Sequence, residues 1–475
     1  MDSENFRKYG HEFIDWLADY FENIEMYPVK PNVQPGEIIK QFPVSPPVKG
    51  EPMGDIFRDF QQQVVPGITH WQHPGWMAYF PANNSPESVL AELLTAGLGA
   101  QCMIWQTSPA AAELEERVMD WLRQMIGLPE NFSGVIQDSA SSATLAALLT
   151  AREKATGLQS NLKGIEKKLR VYAGTEAHSS IEKGVKIAGY GKENLRIIPT
   201  DEAFAMIPEA LEQAIKEDLA AGYQPACVVA AIGSTSSMAM DPVDAIATVC
   251  KKYNVWLHVD AAFAGTAAVV PELRGFMKGT ELADSFVFNP HKWMLTNFDC
   301  TAYFVQDPGM LIQTFEIHPE YLKTAADQQV KNYRDWGIPL GRRFRALKLW
   351  FVIRSYGIEG IQAMVREHVR LAALFADWLK ADKRFEIMAP VQLSLVCFRL
   401  NPGGMNEEQL TPLNQKLLQK INSNGDVFMT HTSLKGKYTI RLALGSRTTE
   451  ERHVKKAWEI VQQAADEIFT NSRWL

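Results

Sequence analysis

A lysine follows directly on the end of a short apolar segment in the second half of the chain. Residues 285–288 predict a buried strand, and Asn289, Pro290, His291 and Lys292 come next. A strand that ends in this way delivers the lysine to the floor of a pocket. A lysine held there loses its proton and condenses with an aldehyde, whereas most lysines are solvated and stay protonated. The segment therefore indicates either amine chemistry at Lys292 or an ordinary surface lysine.

A carboxylate ends a second apolar segment. Residues 255–259 predict a strand, and Asp260 follows it. An aspartate in this place caps a helix N-terminus or binds a cation. The functional alternative is a buried pair with a protonated ring nitrogen, which lets the ring accept electrons from a carbanion.

Small hydroxyl residues follow two further predicted strands. Ser139, Ala140 and Ser141 stand between a strand and a helix, and helix N-terminal amides with serine hydroxyls bind phosphate. Serine is also a common helix cap, so this feature has two explanations. Residues 233–237, which include Thr235, predict a loop that lines a pocket.

Two aromatic residues are candidates for the same site. His178 follows the strand predicted at 169–173, where its ring either stacks on a cofactor ring or serves the structure. Tyr333 belongs to a polar stretch from about residue 323 to 336 without periodicity, which predicts a mobile loop. A lid that closes over a substrate would make Tyr333 a proton donor, and a packing or exposed aromatic is the alternative.

The scaffold for these residues is predicted between about residues 86 and 300. Short apolar strands alternate there with helices, which predicts a mostly parallel sheet with a site at the carboxyl ends of its strands. The strands are predicted at 134–137, 169–173, 226–232, 255–259 and 285–288.

The two ends of the chain have different patterns. Residues 4–24 predict an amphipathic helix, which a proline-rich connector separates from the rest, so we expect it to pack on another subunit. Residues 344–380 predict a long helix, either continuous or bent near Gly357 and Gly360. A smaller α+β domain is predicted beyond it, with strands at 393–400 and 438–444 and helices at 406–422 and 449–468.

Composition excludes several classes of function. The 475 residues are 46% hydrophobic and 22% charged, with a net charge of −7, which does not favour nucleic acid or an anionic membrane. No apolar stretch is long enough to cross a bilayer, and the first residues lack a signal-peptide pattern. Five scattered cysteines predict reduced thiols in a cytoplasmic protein and no metal site.

Seven segments, in one order, resemble the group II pyridoxal-phosphate-dependent amino-acid decarboxylases, and most closely the aromatic-L-amino-acid decarboxylases. The resemblance runs through residues 4–465. It is carried by residues 78–81 (AYFP), 134–141 (GVIQDSAS), 177–180 (AHSS), 258–262 (HVDAA), 289–293 (NPHKW), 297–300 (NFDC) and 338–345 (IPLGRRFR).

The resemblance implies a fold-type I enzyme with a mostly parallel seven-stranded sheet. It implies three parts: residues 1–85 as an N-terminal helical dimerisation segment, 86–345 as the large cofactor-binding α/β domain, and 346–475 as the small C-terminal α+β domain. It also implies a homodimer with its active site at the subunit interface and pyridoxal 5′-phosphate as cofactor.

The resemblance assigns roles to the candidate residues. Lys292 is expected to form the Schiff base, Asp260 to pair with the pyridine nitrogen, and His178 to stack on the ring. Tyr333 is expected on a catalytic loop over the active site, partly over the neighbouring one. The residues expected at the phosphate or lining the cofactor are Ser139, Ala140, Ser141, Thr235, Ala262, Asn289 and His291.

The implied reaction is decarboxylation of an aromatic L-amino acid to its amine and CO₂. Family members with tyrosine on the loop and histidine over the ring form amines, and those with phenylalanine or asparagine there form aldehydes, so this chain is expected to form an amine. The expected substrate-binding residues are Trp71, Tyr79, Phe80, Pro81, Ala82, Met103 and Gly341. Gly341 leaves room for a bulky ring. Ala82 stands where animal members have threonine. Met103 stands where they have a phenylalanine that the partner subunit contributes.

The preferred substrate stays open among tryptophan, 5-hydroxytryptophan, dopa, tyrosine and phenylalanine. Alternative functions are an aromatic acetaldehyde synthase, an acidic-amino-acid decarboxylase, an aminotransferase and a non-catalytic binding protein. The last predicts loss of Lys292, Asp260 or Tyr333, and all three are present. A nicotinamide dehydrogenase is not favoured, because no GxGxxG follows a predicted strand.

Overall fold

A seven-stranded sheet lies at the centre of the computed structural model, which describes residues 1–317 and 329–471. The strands follow the order β1-β7-β6-β5-β4-β2-β3 across the sheet. All neighbours from β3 to β6 run parallel, and β7 is antiparallel to both β6 and β1. The predicted mostly parallel sheet is therefore confirmed. The strands are β1 (Ser133–Gln137), β2 (Leu169–Gly174), β3 (Leu195–Ile198), β4 (Gln224–Ala231), β5 (Trp256–Asp260), β6 (Ser285–Phe288) and β7 (Thr301–Val305).

Helices cover both faces of this sheet, so its central strands are buried on both sides. In β4, Val228 and Ala230 pack into one apolar cluster while Cys227 and Val229 pack into another on the opposite face. This two-sided burial explains why the strands are continuous apolar runs rather than alternating ones. The α-helices of the described residues are α1 (Ser3–Glu22), α2 (Met53–Asp59), α3 (Pro86–Leu98), α4 (Pro109–Ile126), α5 (Ala140–Thr156), α6 (Gln159–Lys163), α7 (Ser180–Ile187), α8 (Pro208–Ala220), α9 (Val243–Tyr253), α10 (Pro290–Trp293), α11 (Pro308–Phe315), α12 (Arg345–Ala381), α13 (Glu407–Asn422) and α14 (Glu451–Asn471).

A second, antiparallel sheet forms the C-terminal part, in the order β10-β11-β9-β8. The long helix α12 joins the two parts, because Leu349 packs into the main core and Phe375 into the C-terminal one. Of the two alternatives for this helix the bent one is present, with the bend at Gly357, whose φ of 62° suits glycine. The strands are β8 (Phe385–Ile387), β9 (Leu395–Leu400), β10 (Thr430–Leu434) and β11 (Lys437–Ala443).

The N-terminal helix is present as predicted, and none of its residues is buried within the chain. The predicted loop at 323–336 has a different outcome. Its residues up to 328 lie outside the described residues, whereas Tyr333–Trp336 form a buried 3₁₀ turn, so the prediction of a mobile loop is wrong for these four. Among the described helices, none combines the length and apolarity that crossing a bilayer requires.

Candidate active site

The carboxyl ends of β5 and β6 bring the two main candidate residues together. The strands are adjacent and parallel at the middle of the sheet, with Asp260 paired to Val287. Beyond the strands, the Asn289 amide donates to the Ala262 carbonyl over 2.9 Å. The segments that carry Asp260 and Lys292 are thereby held side by side at one edge of the sheet.

These strand ends border a cavity of about 270 Å³. Its size lies close to the lower end of the range for small-molecule sites, roughly 300–1,000 Å³. Every residue predicted to bind the cofactor lines this one cavity. The lining residues are Phe80, Ser139, Ala140, Ser141, His178, Ser180, Ala231, Gly233, Ser234, Thr235, Asp260, Ala262, Phe263, Asn289, His291 and Lys292.

Lys292 lies on the single turn of α10, where its amide donates to the Asn289 carbonyl over 2.9 Å. Desolvation of its amine lowers the pKa of Lys292, and the charge of Asp260 opposes this shift. A larger fraction of the amine is therefore neutral and nucleophilic than for a solvated lysine.

Asp260 is nearly buried and holds a defined orientation. Its Oδ1 atom accepts a hydrogen bond from the Ala262 amide at 3.0 Å. Among the described residues, no hydrogen bond is made by Oδ2. One oxygen therefore fixes the carboxylate, and the other remains for a cationic partner in the cavity.

The helix α5 begins at the cavity. Ser139 is its N-cap, and the hydroxyl of Ser139 accepts a hydrogen bond from the Ser142 amide at 3.2 Å. The amides that precede Ser142 in the first turn have no acceptor within a helix. Ser139 therefore caps the helix and also lies at a helix N-terminus that can bind an anion. The capping and phosphate-binding explanations of this segment are compatible.

His291 and Asn289 are fixed by β7 and the turn before it. The Cys300 amide donates to His291 Nδ1 over 3.0 Å, and Thr301 Oγ1 donates to Asn289 Oδ1 over 2.8 Å. Burial, with the nearby charge of Lys292, lowers the pKa of His291 to about 4. The imidazole is therefore neutral at pH 7, and because Nδ1 accepts, Nε2 carries the proton and can donate to an anion.

His178 lines the cavity and remains partly exposed. The Ser180 amide donates to its Nδ1 atom over 3.2 Å, which leaves Nε2 as the protonated nitrogen of the neutral ring. Desolvation lowers the pKa of His178, while Asp260 raises it and Lys292 lowers it further. The protonation of His178 therefore depends on the charges of both Asp260 and Lys292.

The loop after β4 supplies Thr235. Gly233 begins the loop with a φ of 78°, and a Cβ atom on Gly233 would lie 2.5 Å from that of Ala264. Only glycine fits there without displacing the backbone. Of the loop predicted at 233–237, residues 233–235 line the cavity.

An aromatic stack forms one wall of the cavity. The Phe80 and Phe263 rings are 4.0 Å apart and nearly parallel, and Phe263 stacks on Trp293 at 4.5 Å. The Lys292 amine lies 5.6 Å from the centroid of the Phe80 ring. The apolar wall is therefore next to the amine.

Of the predicted substrate-binding residues, only Phe80 lines this cavity. Trp71 stacks on Tyr79, whose side chain is 51% exposed. The carbonyl of Ala82 accepts from Gln72, and that of Met103 accepts from the Arg334 amide. Pro81 packs next to Gly445, and Gly341 lies beside Gln101. Within one chain the structure does not bring these six residues to the cavity.

Tyr333 is also outside the cavity. Its ring is buried in a cluster with Val135 and Trp336, and burial raises its pKa well above the usual value. Within the described residues, its hydroxyl has no hydrogen-bond partner. The position of Tyr333 within its own subunit does not support a role as proton donor. That role stays a prediction.

Sequence reasoning missed Phe263 and Arg441. Phe263 directly follows Ala262, so its place in that segment was the available signal. Arg441 is buried beside Phe80, with its guanidinium carbon 5.4 Å from the ring centroid. No local pattern marks Arg441, because β11 reaches Phe80 only in the folded chain.

A model of the pyridoxal-dependent decarboxylase conserved domain matches residues 35–401. This chain belongs to the pyridoxal-dependent decarboxylases. It is 45% identical to a phenylacetaldehyde synthase of Arabidopsis thaliana, and the match covers 98% of this chain and 96% of the relative. It is 43% identical to tryptophan decarboxylase 2 of Oryza sativa subsp. japonica, with the same shares covered. The crystal structure of Oryza sativa TDC with PLP and tryptamine superimposes with a TM-score of 0.96 at 37% identity, covering 98% and 99% of the two chains.

The cavity of this decarboxylase fits pyridoxal 5′-phosphate, the cofactor of its family. Lys292 is suited to the aldehyde, Asp260 to the ring nitrogen, and the α5 N-terminus with His291 to the phosphate. Within the described residues, no three potential metal ligands come together. The predicted family, its fold type I architecture and its cofactor are confirmed by these matches.

We predict that K292A abolishes covalent capture of the cofactor. In the wild-type protein, borohydride reduction followed by peptide mapping is expected to place the pyridoxyl group on Lys292 alone, because its amine is desolvated and opens into the cavity. Lys348 is an internal control: burial lowers its pKa to about 8, but it lies 2.9 Å from Glu92 Oε2. A pyridoxyl group on Lys348, or labelling that persists in K292A, would contradict the assignment.

Proposed function

We propose that this protein removes the α-carboxyl group of an aromatic L-amino acid as CO₂ and releases the arylalkylamine. The observation that carries the proposal is a desolvated lysine that shares one cavity with an oriented carboxylate, an anion-binding helix end and an aromatic wall. Among the described residues that line the cavity, Lys292 is the one lysine or arginine. Arg441 lies beside Phe80 and is assigned below to the α-carboxylate, so a second carboxylate on the side chain would lack a cationic partner and an apolar ring is favoured.

Bound pyridoxal phosphate supplies a ring that takes up the electron pair left at Cα when CO₂ departs. Asp260 would keep the ring nitrogen protonated, because its Oδ1 is held by Ala262 and its Oδ2 is available. The amides of Ala140 and Ser141 and the Nε2 proton of His291 would hold the phosphate. The lowered pKa of Lys292 makes its amine the group that would bind the aldehyde.

Among the described residues that line the cavity, His178 is the proposed donor of the proton to Cα. Because Ser180 donates to Nδ1, the proton of the neutral ring is on Nε2, where it can be passed to Cα. A positioned donor of this kind typically contributes about 10²–10⁴ in rate. Delivery of this proton to Cα is the step that yields an amine.

An aromatic acetaldehyde synthase is the second candidate, because the Arabidopsis thaliana relative at 45% identity has that name. That reaction converts the amino acid, O₂ and water into aldehyde, CO₂, ammonia and hydrogen peroxide. His178 favours the amine, since it places a proton donor at the cavity.

We expect the purified holoenzyme, given a mixture of tryptophan, 5-hydroxytryptophan, dopa, tyrosine and phenylalanine, to release amine and CO₂ in equal amounts. Products are identified by mass, with oxygen uptake and peroxide recorded together. Equal amounts of aldehyde and peroxide would favour the second candidate. No turnover of any aromatic acid would contradict the proposal.

Tyrosine variants serve as controls in the same assay. Between residues 304 and 355 the sequence has two tyrosines, Tyr321 and Tyr333, and Tyr321 lies outside the described residues. The predicted role of Tyr333 requires Y333F to shift the product toward aldehyde, whereas the enclosed position of its hydroxyl favours unchanged amine output. A shift to aldehyde in Y333F would support the predicted role of Tyr333, and the same shift in Y321F alone would assign it to Tyr321.

Arg441 is the proposed partner of the substrate α-carboxylate. Its Nη1 donates to Thr430 Oγ1 over 3.2 Å and its Nη2 to the Tyr79 carbonyl over 3.3 Å. Among the described residues, Nε has no acceptor and no carboxylate pairs with the guanidinium. A buried guanidinium without an anion is costly, and an anionic ligand would offset that cost.

We predict that R441M lowers kcat/KM for the amino acid by about 10–100-fold, the typical effect of losing a hydrogen bond to a charged group. The amine product, which has no carboxylate, is the matched probe. Its inhibition constant should stay nearly unchanged in R441M. Equal weakening of amino acid and amine would show that Arg441 acts on the fold instead.

The site is proposed to be completed by a second copy of the chain. Helix α3 presents a stripe of leucines, Leu90, Leu93, Leu94 and Leu98, that are 46%, 53%, 49% and 67% exposed. Contiguous apolar surface of this kind is typical of an interface. Met103 and Gly341 are predicted substrate-binding residues that do not line the cavity of their own chain. A role for them at the cavity of a second copy supports the same homodimer. The five free, buried cysteines support the proposed cytoplasmic location.

We expect L93E to convert a dimer into a monomer and to lower activity, because a buried charge is not tolerated in an apolar interface. Light scattering after size exclusion measures the mass. Leu162, which is 75% exposed on α6, is the control, and L162E should remain dimeric and active. A wild-type protein of monomeric mass with full activity would rule out the shared site.

A further inference from the structure

His258 lies in the middle of the central strand β5 and is fully buried. Its Nδ1 atom is 2.9 Å from Ser285 Oγ, and its Nε2 atom is 3.2 Å from Thr144 Oγ1. Ser285 also accepts a hydrogen bond from the Trp256 indole at 2.9 Å. Both nitrogens of the imidazole therefore meet a hydroxyl, each on a different element.

Each of the three elements joined at His258 has an end at the cavity. Thr144 is on α5, three residues after Ser141 of the anion-binding end. Ser285 pairs with His258 across the sheet and begins β6, which leads to Lys292. His258 itself precedes Asp260 by two residues, so both side chains point to the same face of β5.

The imidazole is neutral. Burial lowers the pKa of His258 to about 4, although the charge of Asp260 opposes the shift. At pH 7 it therefore adds no positive charge beside Asp260. The negative charge of Asp260 thus stays available to a cation in the cavity.

We propose that His258 is a positioning residue, which holds the phosphate-binding end of α5, the Asp260 strand and the Lys292 strand in one fixed arrangement. The inference rests on the proposed function, because it assigns these three ends to one cofactor. Apolar packing alone would leave the relative position of α5 and β5 less defined, since van der Waals contacts have little directionality. Two hydrogen bonds to opposite edges of a rigid ring define it.

The test compares two threonines of α5 that are both fully buried. Thr144 bonds to His258 on another element, whereas Thr150 donates to the Ala146 carbonyl of its own helix over 2.8 Å. T144V and T150V remove the same atoms from the same helix. Only the first breaks the link between α5 and β5.

We expect T144V to weaken pyridoxal phosphate binding by about tenfold, which corresponds to one lost buried hydrogen bond. T150V should change the dissociation constant less than about twofold. Equilibrium dialysis of each holoenzyme measures the constant, and the absorption band of the bound cofactor reports its environment. The conservative variant T144S, which keeps the hydroxyl, should restore both.

The outcomes separate the possible roles. Equal dissociation constants in T144V and T150V, with equal losses of thermal stability, would overturn the inference and leave a purely structural hydroxyl. Should T144V fail to fold, the second variant is H258F, which keeps a flat ring but removes both hydrogen-bonding nitrogens. Binding weaker than wild type by more than about tenfold with an unchanged Tm supports positioning. Wild-type affinity in H258F contradicts it. A wild-type protein that binds no pyridoxal phosphate would instead overturn the proposed function.

Discussion

The chemistry of this protein depends on one lysine amine that is kept out of water next to a carboxylate. Desolvation of Lys292 favours the neutral amine, and Asp260 opposes that shift without forming a direct hydrogen bond to it among the described contacts. If Asp260 were closer to Lys292, its charge would keep the amine protonated. If it were farther away, a cationic cofactor ring in the cavity would lack a carboxylate partner. The spacing of β5 and β6 in a parallel sheet sets this separation.

Much of the surrounding structure serves to fix that spacing. Asn289 and Ala262 join the two strand ends by a backbone hydrogen bond, and β7 holds Asn289 and His291 from the other side. The aromatic stack of Phe80, Phe263 and Trp293 closes the cavity beside the amine. Phe263 and Trp293 directly follow Ala262 and Lys292, which line the cavity, so packing and chemistry are coupled in these two segments.

Prediction from sequence succeeded where the signal was local and strong. Five strands of the main sheet were found because each is a continuous apolar run that ends in polar residues. Two strands were not predicted: β3 is a four-residue edge strand with little burial, and β7, although fully buried, begins just beyond residue 300, where the predicted alternation of strands and helices ends. The polar neighbours of Tyr333 predict a mobile loop, and they conceal that Tyr333 and Trp336 pack into the core.

The family, the parallel sheet and most of the residues that line the cofactor cavity can be predicted from the sequence alone. These follow from short segments in which strand, turn and functional residue are adjacent along the chain. Packing in three dimensions was needed to show that Phe263 and Arg441 lie at the aromatic wall, that Tyr333 is enclosed in the core, and that His258 links three elements. Those facts depend on contacts between residues far apart in sequence, and such contacts are fixed by packing rather than by any local pattern.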